Sequence, residues 1–187
     1  MTGRTISKRR VGSAAAVVTL ALGGALAAAA PASAAGMNYK PISTATDVEV
    51  RVQSSGKCLE VADWRTDDGA PVRQWTCTGG DNQKWVWTDA DQLVNVHSGK
   101  CLEIPGYSGE PGTAVGQWTC NGGANQVWSD ASRLHSGLRH LVNAHSGRYL
   151  DVAGGSTADG APVIQWGLNG ADNQVWYYSP FPPGPHH

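Results

Sequence analysis

Short runs of alternating apolar and polar residues recur along the chain, and turns rich in Gly, Ser and Asp separate them. In the first group the runs are Val50–Gln53, Cys58–Val61, Val72–Cys77 and Lys84–Trp87. Alternation over four to six residues predicts half-buried β-strands. The pattern therefore predicts four short strands in about forty residues, and an all-β protein.

The tetrapeptide Asn-Gln-x-Trp closes three similar blocks of sequence, at Asn82–Trp85, Asn125–Trp128 and Asn173–Trp176. The first two blocks are offset by 43 positions and the second and third by 48 positions. The additional residues fall within 129–140, a connection between blocks where an insertion costs little. The chain is therefore predicted to be one unit repeated three times.

Residues 1–35 have the order of a secretory signal peptide. A basic start precedes an Ala-rich apolar run over 11–30, and Pro-Ala-Ser-Ala offers a cleavage site. Arg9 and Arg10 leave both Sec and twin-arginine export open. A membrane anchor is the alternative, but no positively charged flank follows the apolar run. We expect a secreted, extracellular protein without a membrane-inserted segment.

The rest of the chain divides into an N-terminal arm over 36–47, one folded domain over 48–179 and a Pro-rich tail over 180–187. Without the leader it carries 10 Lys and Arg against 15 Asp and Glu. Nucleic-acid binding needs a basic face, so a nucleic-acid partner is not expected. We expect a monomer that uses no metal and no cofactor.

Two pairs of cysteines have the same spacing: Cys58 and Cys77 lie 19 positions apart, and so do Cys101 and Cys120. Four cysteines in a secreted chain allow three pairings. The third repeat has a tyrosine and a leucine at the two equivalent positions, so both members of the pair are replaced together. We therefore predict the disulfides Cys58–Cys77 and Cys101–Cys120, and not a metal site.

The chain has three blocks of about forty residues, each with Gln-x-Trp in register. Two of the blocks also have a Trp two positions before the second Cys. This pattern resembles the ricin-type β-trefoil lectin family. The resemblance covers about 48–178. It implies a β-trefoil of three four-stranded repeats with pseudo-threefold symmetry, in which six strands form a barrel and six form hairpins that cap one end. A β-propeller also has four-stranded units, but it typically needs four or more to close. The Gln-x-Trp side chains of Trp85, Trp128 and Trp176 are expected in the core.

The resemblance also implies one sugar site per repeat, built from an acid, an aromatic, an Asn and a Gln that holds the acid. The four positions are Asp151, Trp166, Asn173 and Gln174 in the third repeat, Glu60, Trp75, Asn82 and Gln83 in the first, and Glu103, Trp118, Asn125 and Gln126 in the second. The site of the third repeat is the best match to the family. The other two repeats have Glu in place of the family's Asp, which displaces the carboxylate by about 1 Å. Arg73, Gly116 and Ile164 replace a residue that is often polar in the family, which leaves sugar specificity open.

The resulting hypothesis is a carbohydrate-binding protein without catalytic residues. Galactose-, xylose- or arabinose-type units are the ligands that the family implies. One alternative is a glycoside hydrolase or an accessory component of one. A hydrolase needs two carboxylates that face each other about 5–9.5 Å apart, whereas here the acids recur once per repeat. Another is a trefoil without sugar binding, such as a secreted inhibitor or interaction module, in which the three site tryptophans pack against the hairpins. His97 and His145 are expected to be solvated turn residues.

Overall fold

The computed structural model describes residues 46–133 and 137–180, without the side chains of residues 132 and 133. The expected signal peptide, residues 36–45 of the arm and residues 181–187 of the tail lie outside the described residues. In the described part of the chain, none of the helices has the length and hydropathy needed to span a membrane.

Twelve strands in the described residues follow the alternating runs of the sequence. They are β1 Val48–Val52, β2 Cys58–Val61, β3 Val72–Trp75, β4 Lys84–Trp87, β5 Leu93–Asn95, β6 Cys101–Glu103, β7 Gly116–Trp118, β8 Trp128–Arg133, β9 Arg139–Asn143, β10 Tyr149–Val152, β11 Val163–Trp166 and β12 Trp176–Ser179. Each repeat contributes four consecutive strands, which confirms the predicted repeat.

Two short 3-10 helices recur in every repeat. The acid-strand turns follow the second strand and are Ala62–Trp64, Pro105–Tyr107 and Ala153–Gly155. The Asn-Gln turns come just before the fourth strand of each repeat and are Asp81–Gln83, Ala124–Gln126 and Asp172–Gln174. Both turns flank the predicted sugar position, so they decide what that position can hold.

The strands form a barrel and a cap. Antiparallel pairing joins six of them in the order β5-β4-β1-β12-β9-β8. The other six form the hairpins β2–β3, β6–β7 and β10–β11. Three bridges tie each hairpin to the other two, namely Pro71 to Gly116, Arg73 to Pro162 and Ala114 to Ile164. This is the β-trefoil that the resemblance implies.

The three Gln-x-Trp indoles lie in the core, as predicted. Trp85, Trp128 and Trp176 are each 0% exposed. Each indole Nε1 donates to a backbone carbonyl at 2.9–3.0 Å, and the acceptors are those of Leu59, Leu102 and Leu150. A buried indole needs such an acceptor, because an unpaired N–H in an apolar core is costly.

Buried glutamines on the third strand of each repeat join it to the loop of a neighbour. Gln74 Nε2 donates to Ser156 O and Ala158 O at 2.7 and 2.9 Å. Gln117 and Gln165 make the equivalent pairs of bonds to the first and second repeats. The contacts run in a ring, so each repeat depends on its neighbours for the shape of its loops.

Both predicted disulfides are present: Cys58 is bonded to Cys77 and Cys101 to Cys120. Each joins the second strand of its repeat to the segment just after the third strand. Both span 19 positions, so they restrict the unfolded chain equally.

We expect the double replacement Cys58→Ala with Cys77→Ala to lower the free energy of unfolding by about 3 kcal/mol, and the equivalent Cys101 and Cys120 replacement to do the same, because loops of equal length lose equal chain entropy. Urea denaturation of the two double variants measures both values. A loss confined to one of the pairs would contradict equal loop closure.

Candidate functional site

The acid of the third repeat is buried and held by side-chain amides. Asp151 lies on β10 and is 2% exposed. Asn173 Nδ2 donates to its Oδ1 at 3.0 Å and Gln174 Nε2 donates to its Oδ2 at 2.7 Å. Burial raises the pKa of Asp151, and the bonds from Gln174 and Asn173 partly offset that rise. The result is a carboxylate with a fixed orientation.

The amides are themselves fixed by the backbone. Asn173 Nδ2 also donates to Val152 O at 3.0 Å, and Gln174 Nε2 donates to Gly167 O at 2.8 Å. Gln174 Oε1 accepts from the backbone N–H of Asn169 at 2.9 Å. The Asn-Gln turn thus ties together the acid strand and the segment after β11, and its two side chains cannot reorient independently.

Trp166 lies beside this acid with much of its indole in solvent. It is on β11, and 43% of its surface is exposed. The ring edge packs against the neighbouring repeat at Gly112, where a Cβ would lie 3.4 Å from Trp166 Cζ3. The indole is therefore supported on one edge and open elsewhere.

Asp151, Asn173 and Trp166 line one cavity of about 510 Å³, together with Asn169 and Ile164. Gln174 stands behind the carboxylate and holds it. The cavity thus combines a carboxylate, two amides and an exposed aromatic ring, with an apolar wall at Ile164. Few polar groups in a mainly apolar concavity are typical of a small-ligand site.

The first repeat brings its four predicted residues together, but an arginine fills the space between them. Gln83 Nε2 holds Glu60 Oε2 at 2.6 Å, as Gln174 holds Asp151. Arg73 Nη2 donates to Glu60 Oε1 at 2.9 Å. The same guanidinium lies 4.2 Å from the ring centroid of Trp75. Carboxylate and indole are both already paired with a cation.

The second repeat has the same frame without the arginine. Gln126 Nε2 donates to Glu103 Oε2 at 2.7 Å, and burial raises the pKa of Glu103. Gly116 stands where the first repeat has arginine, and Trp118 is 43% exposed. Asn125 Nδ2 donates to Ile104 O at 3.0 Å.

Two aromatic residues that sequence reasoning did not single out lie at these sites. Trp64 and Tyr107 end the acid-strand turns of the first and second repeats and are 52% and 50% exposed. The third repeat has Gly155 at that position. The sequence does contain a signal for these two residues. The repeats with Trp64 and Tyr107 have a glycine two positions before the site Asn, at Gly80 and Gly123. The repeat with Gly155 has an alanine there.

His97 and His145 are exposed, as predicted, but each also contacts one of these turns. His97 Nε2 lies 3.1 Å from Trp64 O, and His145 Nε2 lies 2.7 Å from Tyr107 O. Each imidazole meets the aromatic ring edge-on, with centroids 5.0 and 5.1 Å apart. The histidines come from the following repeat, which is why spacing within one repeat does not reveal the contact.

One group of potential metal-ligating residues occurs among the described residues, formed by Glu49, Cys58 and Cys77. The two sulfurs are bonded to each other. A disulfide is not a thiolate, so it does not supply the ligand that soft metals need.

The comparisons with known proteins agree with this architecture. A model of the ricin-type beta-trefoil lectin domain-like family matches residues 40–92, 87–166 and 132–186. ThreeFoil, a designed threefold-symmetric protein, is 42% identical with a TM-score of 0.69, over 71% of this chain and 96% of its own. An exo-β-1,3-galactanase from Clostridium thermocellum is 35% identical with a TM-score of 0.70, over 75% of this chain and 31% of the galactanase.

A curated relative, the probable lipoprotein EnvE of Salmonella typhimurium, is 41% identical over 39 residues. That match spans 21% of this chain and 22% of the relative, which is about one repeat. The family matches, in contrast, extend over nearly all of the twelve-stranded body. The chain therefore belongs to the ricin-type β-trefoil lectin family.

Proposed function

We propose that this protein is a secreted, non-catalytic carbohydrate-binding protein whose third repeat binds galactose-, xylose- or arabinose-type units of polysaccharides or glycans. Membership in the lectin family supports carbohydrate binding in general. The observation that carries the proposal is the third-repeat cavity, where the Asp151 carboxylate and the Asn173 amide lie beside the exposed indole of Trp166.

The chemistry of a pyranose matches these three groups. A carboxylate offers about four lone-pair positions. Asp151 accepts from Asn173 and Gln174 and, at 3.4 Å, from the Asn169 amide, so about one position is left for a hydroxyl donor. The amide of Asn173 adds an acceptor oxygen. The indole of Trp166 presents a flat apolar face to the C–H side of the ring. Since few polar groups line the cavity, we expect monosaccharide affinity in the millimolar range, about −4 kcal/mol.

The sugar class rests on family membership and on one relative. The Clostridium thermocellum exo-β-1,3-galactanase contains a region 35% identical to this chain, and that region is 31% of the enzyme. By its name, that protein acts on β-1,3-galactan. A trefoil attached to such an enzyme favours galactose-type units, and pentose-type units remain within the proposal because the family implies them.

A binding role agrees better with the acids than a hydrolytic one does. Asp151 is the single carboxylate among the residues that line the third-repeat cavity. Glycosidases need two carboxylates about 5–9.5 Å apart across one cleft. Glu60 and Glu103 belong to other repeats, where each is held by its own Gln.

Secretion is supported by the order of residues 1–35 and by the two disulfides, since disulfides persist in oxidising compartments. The excess of acidic over basic residues in the rest of the chain supports the absence of a nucleic-acid partner. We further propose that the protein acts as a monomer.

Neutralising the third-repeat acid tests the proposal. We expect Asp151→Asn to weaken sugar binding by about 10-fold or more, because a charge-assisted bond to a hydroxyl is worth about 1.5–3 kcal/mol. The matched control is Glu103→Gln, which removes an equally buried, Gln-held carboxylate and is expected to leave binding unchanged. Tryptophan fluorescence during titration with galactose, xylose, arabinose and soluble xylan gives the affinities.

Equal losses in the two variants, or normal binding by Asp151→Asn, would contradict the assignment to the third repeat. A chromogenic galactoside or xyloside included in the same series tests the enzymatic alternative. Turnover by the wild-type protein that Asp151→Asn abolishes would favour a hydrolase.

The affinity for sugar is also expected to fall in acid. The ionised carboxylate is the form that accepts hydroxyls, and burial raises the pKa of Asp151. Binding is therefore complete above the raised pKa and is lost as the pH falls through it, at a higher pH than the ordinary aspartate value of about 3.9 would give. Titrations from neutral pH downward, with circular dichroism to monitor folding, measure the midpoint. A midpoint at or below the ordinary value would be inconsistent with the buried acid as the binding group.

A further inference from the structure

We infer that Trp64 and Tyr107 are intramolecular plugs, which occupy the sugar positions of the first and second repeats and confine carbohydrate binding to the third. The inference rests on the proposed function of the third-repeat cavity. It adds two residues that determine where, and how many times, this trefoil binds.

The Trp64 and Tyr107 rings lie against Gly80 and Gly123, where no larger residue would fit. A Cβ on Gly80 would lie 2.8 Å from Trp64 Cζ2 and 2.8 Å from Asn82 Oδ1. A Cβ on Gly123 would lie 2.2 Å from Tyr107 Oη and 2.6 Å from Asn125 Oδ1. Each ring therefore reaches its own Asn-Gln turn, at a glycine that also faces the amide oxygen of the site asparagine.

The equivalent space in the third repeat is open. Gly155 replaces the ring, and Ala171 replaces the glycine of the wall. Gly154, Gly155 and Ala171 line the cavity that also contains Asp151 and Trp166. The rings of the first two repeats thus lie where the third repeat has free volume.

The covered asparagines retain unused binding capacity. Asn82 and Asn125 are each 2% exposed, and their Oδ1 atoms are buried without a hydrogen-bond partner. A buried amide oxygen without a donor is costly. A sugar hydroxyl is the kind of donor that would satisfy it. The rings therefore cover a polar group that suits a ligand, and do not simply fill an apolar gap.

The backbone and a histidine keep each plug in place. Trp64 and Tyr107 have φ of 55° and 52°, in the left-handed region that favours glycine. The imidazoles of His97 and His145 contact their carbonyls and ring edges. In the first repeat the equivalent position is Ser54, whose backbone N–H donates to Asp172 O of the third repeat. Serine has no ring to contact the turn of the third repeat.

The two plugged repeats differ in one respect that allows a matched test. In the first repeat Arg73 also covers Glu60 and the Trp75 ring, so removal of Trp64 leaves the site occupied. In the second repeat Gly116 leaves Trp118 open, so Tyr107 is its single plug. Opening should therefore succeed in the second repeat and fail in the first.

The test compares three double variants. Tyr107→Gly with Glu103→Asp gives the second repeat the glycine and the aspartate of the third. Trp64→Gly with Glu60→Asp makes the same change in the first repeat, where Arg73 remains. Gly155→Tyr with Ala171→Gly closes the third repeat, and Ala171→Gly alone is its control. Tyr107→Gly should fold, because glycine is favoured at that φ.

The readout is the set of indole N–H signals in ¹H–¹⁵N NMR spectra during titration with galactose, xylose and arabinose. In the wild type we expect a response at Trp166 and none at Trp118 or Trp75. The opened second repeat should add a response at Trp118. Its affinity should be within about 10-fold of that of the third site, which corresponds to about 1.4 kcal/mol in binding free energy. The first-repeat variant should add none, and the closed third repeat should lose the Trp166 response.

A second readout separates failure of the plugs from failure of the proposed function. Hydrogen exchange of the Asn125 side-chain amide should accelerate in Tyr107→Gly, and to a lesser degree in His145→Ala, without any sugar present. Accelerated exchange in a protein whose Trp166 responds to none of the sugars would refute the proposed function and leave the covering role of Tyr107 supported. Unchanged exchange, or a Trp118 response already present in the wild type, would overturn the plugs.

Discussion

A single pair of side chains, two positions apart, connects the core of this protein to its candidate site. In the third repeat the Trp176 indole, 0% exposed, donates to Leu150 O, and the Gln174 amide holds the carboxylate of the next residue, Asp151. The same strand therefore carries a core leucine and the site acid, and the same short segment fixes both. A buried Trp tolerates little movement in a close-packed interior, so the packing of the core also fixes the position of the acid.

The threefold repetition of that pair explains why the fold is symmetric and the sites are not. All three repeats keep the buried Trp, the Gln and a held carboxylate. The residues that vary lie on the solvent side of this frame, where replacement does not disturb the barrel. Arg73 neutralises one acid, Trp64 and Tyr107 fill two of the three positions, and Gly155 leaves the third free. One stable frame can thus hold one open site and two occupied ones.

Much of this arrangement could be predicted from the sequence, because the repeat makes each unit a control for the others. The four strands of each repeat and both disulfides follow from the alternating pattern, from spacing and from the joint loss of two cysteines in the third repeat. The core position of the three indoles follows from the small barrel that the family resemblance implies. The resemblance to the lectin family predicted which side chains meet, and the structure brings Asp151, Asn173 and Trp166 to one cavity. Whether they bind sugar is still a prediction.

The occupied sites could not be predicted in the same way, because they depend on contacts that spacing does not reveal. The departure at Arg73 is visible in the sequence, but its ion pair with Glu60 depends on cross-strand register. Trp64 and Tyr107 reach their positions through a left-handed backbone, and their histidine contacts come from the next repeat. The sequence marks these positions only through the glycines Gly80 and Gly123, which accompany Trp64 and Tyr107.

The most direct test of this account is a crystal structure of the protein soaked with galactose and, in parallel, with xylose and arabinose. We expect one sugar, lying on the Trp166 indole with its hydroxyls within hydrogen-bonding distance of Asp151 and Asn173. A sugar seated instead at Glu60 or Glu103, or a third-repeat cavity that stays free of each of the three at saturating concentration, would contradict it.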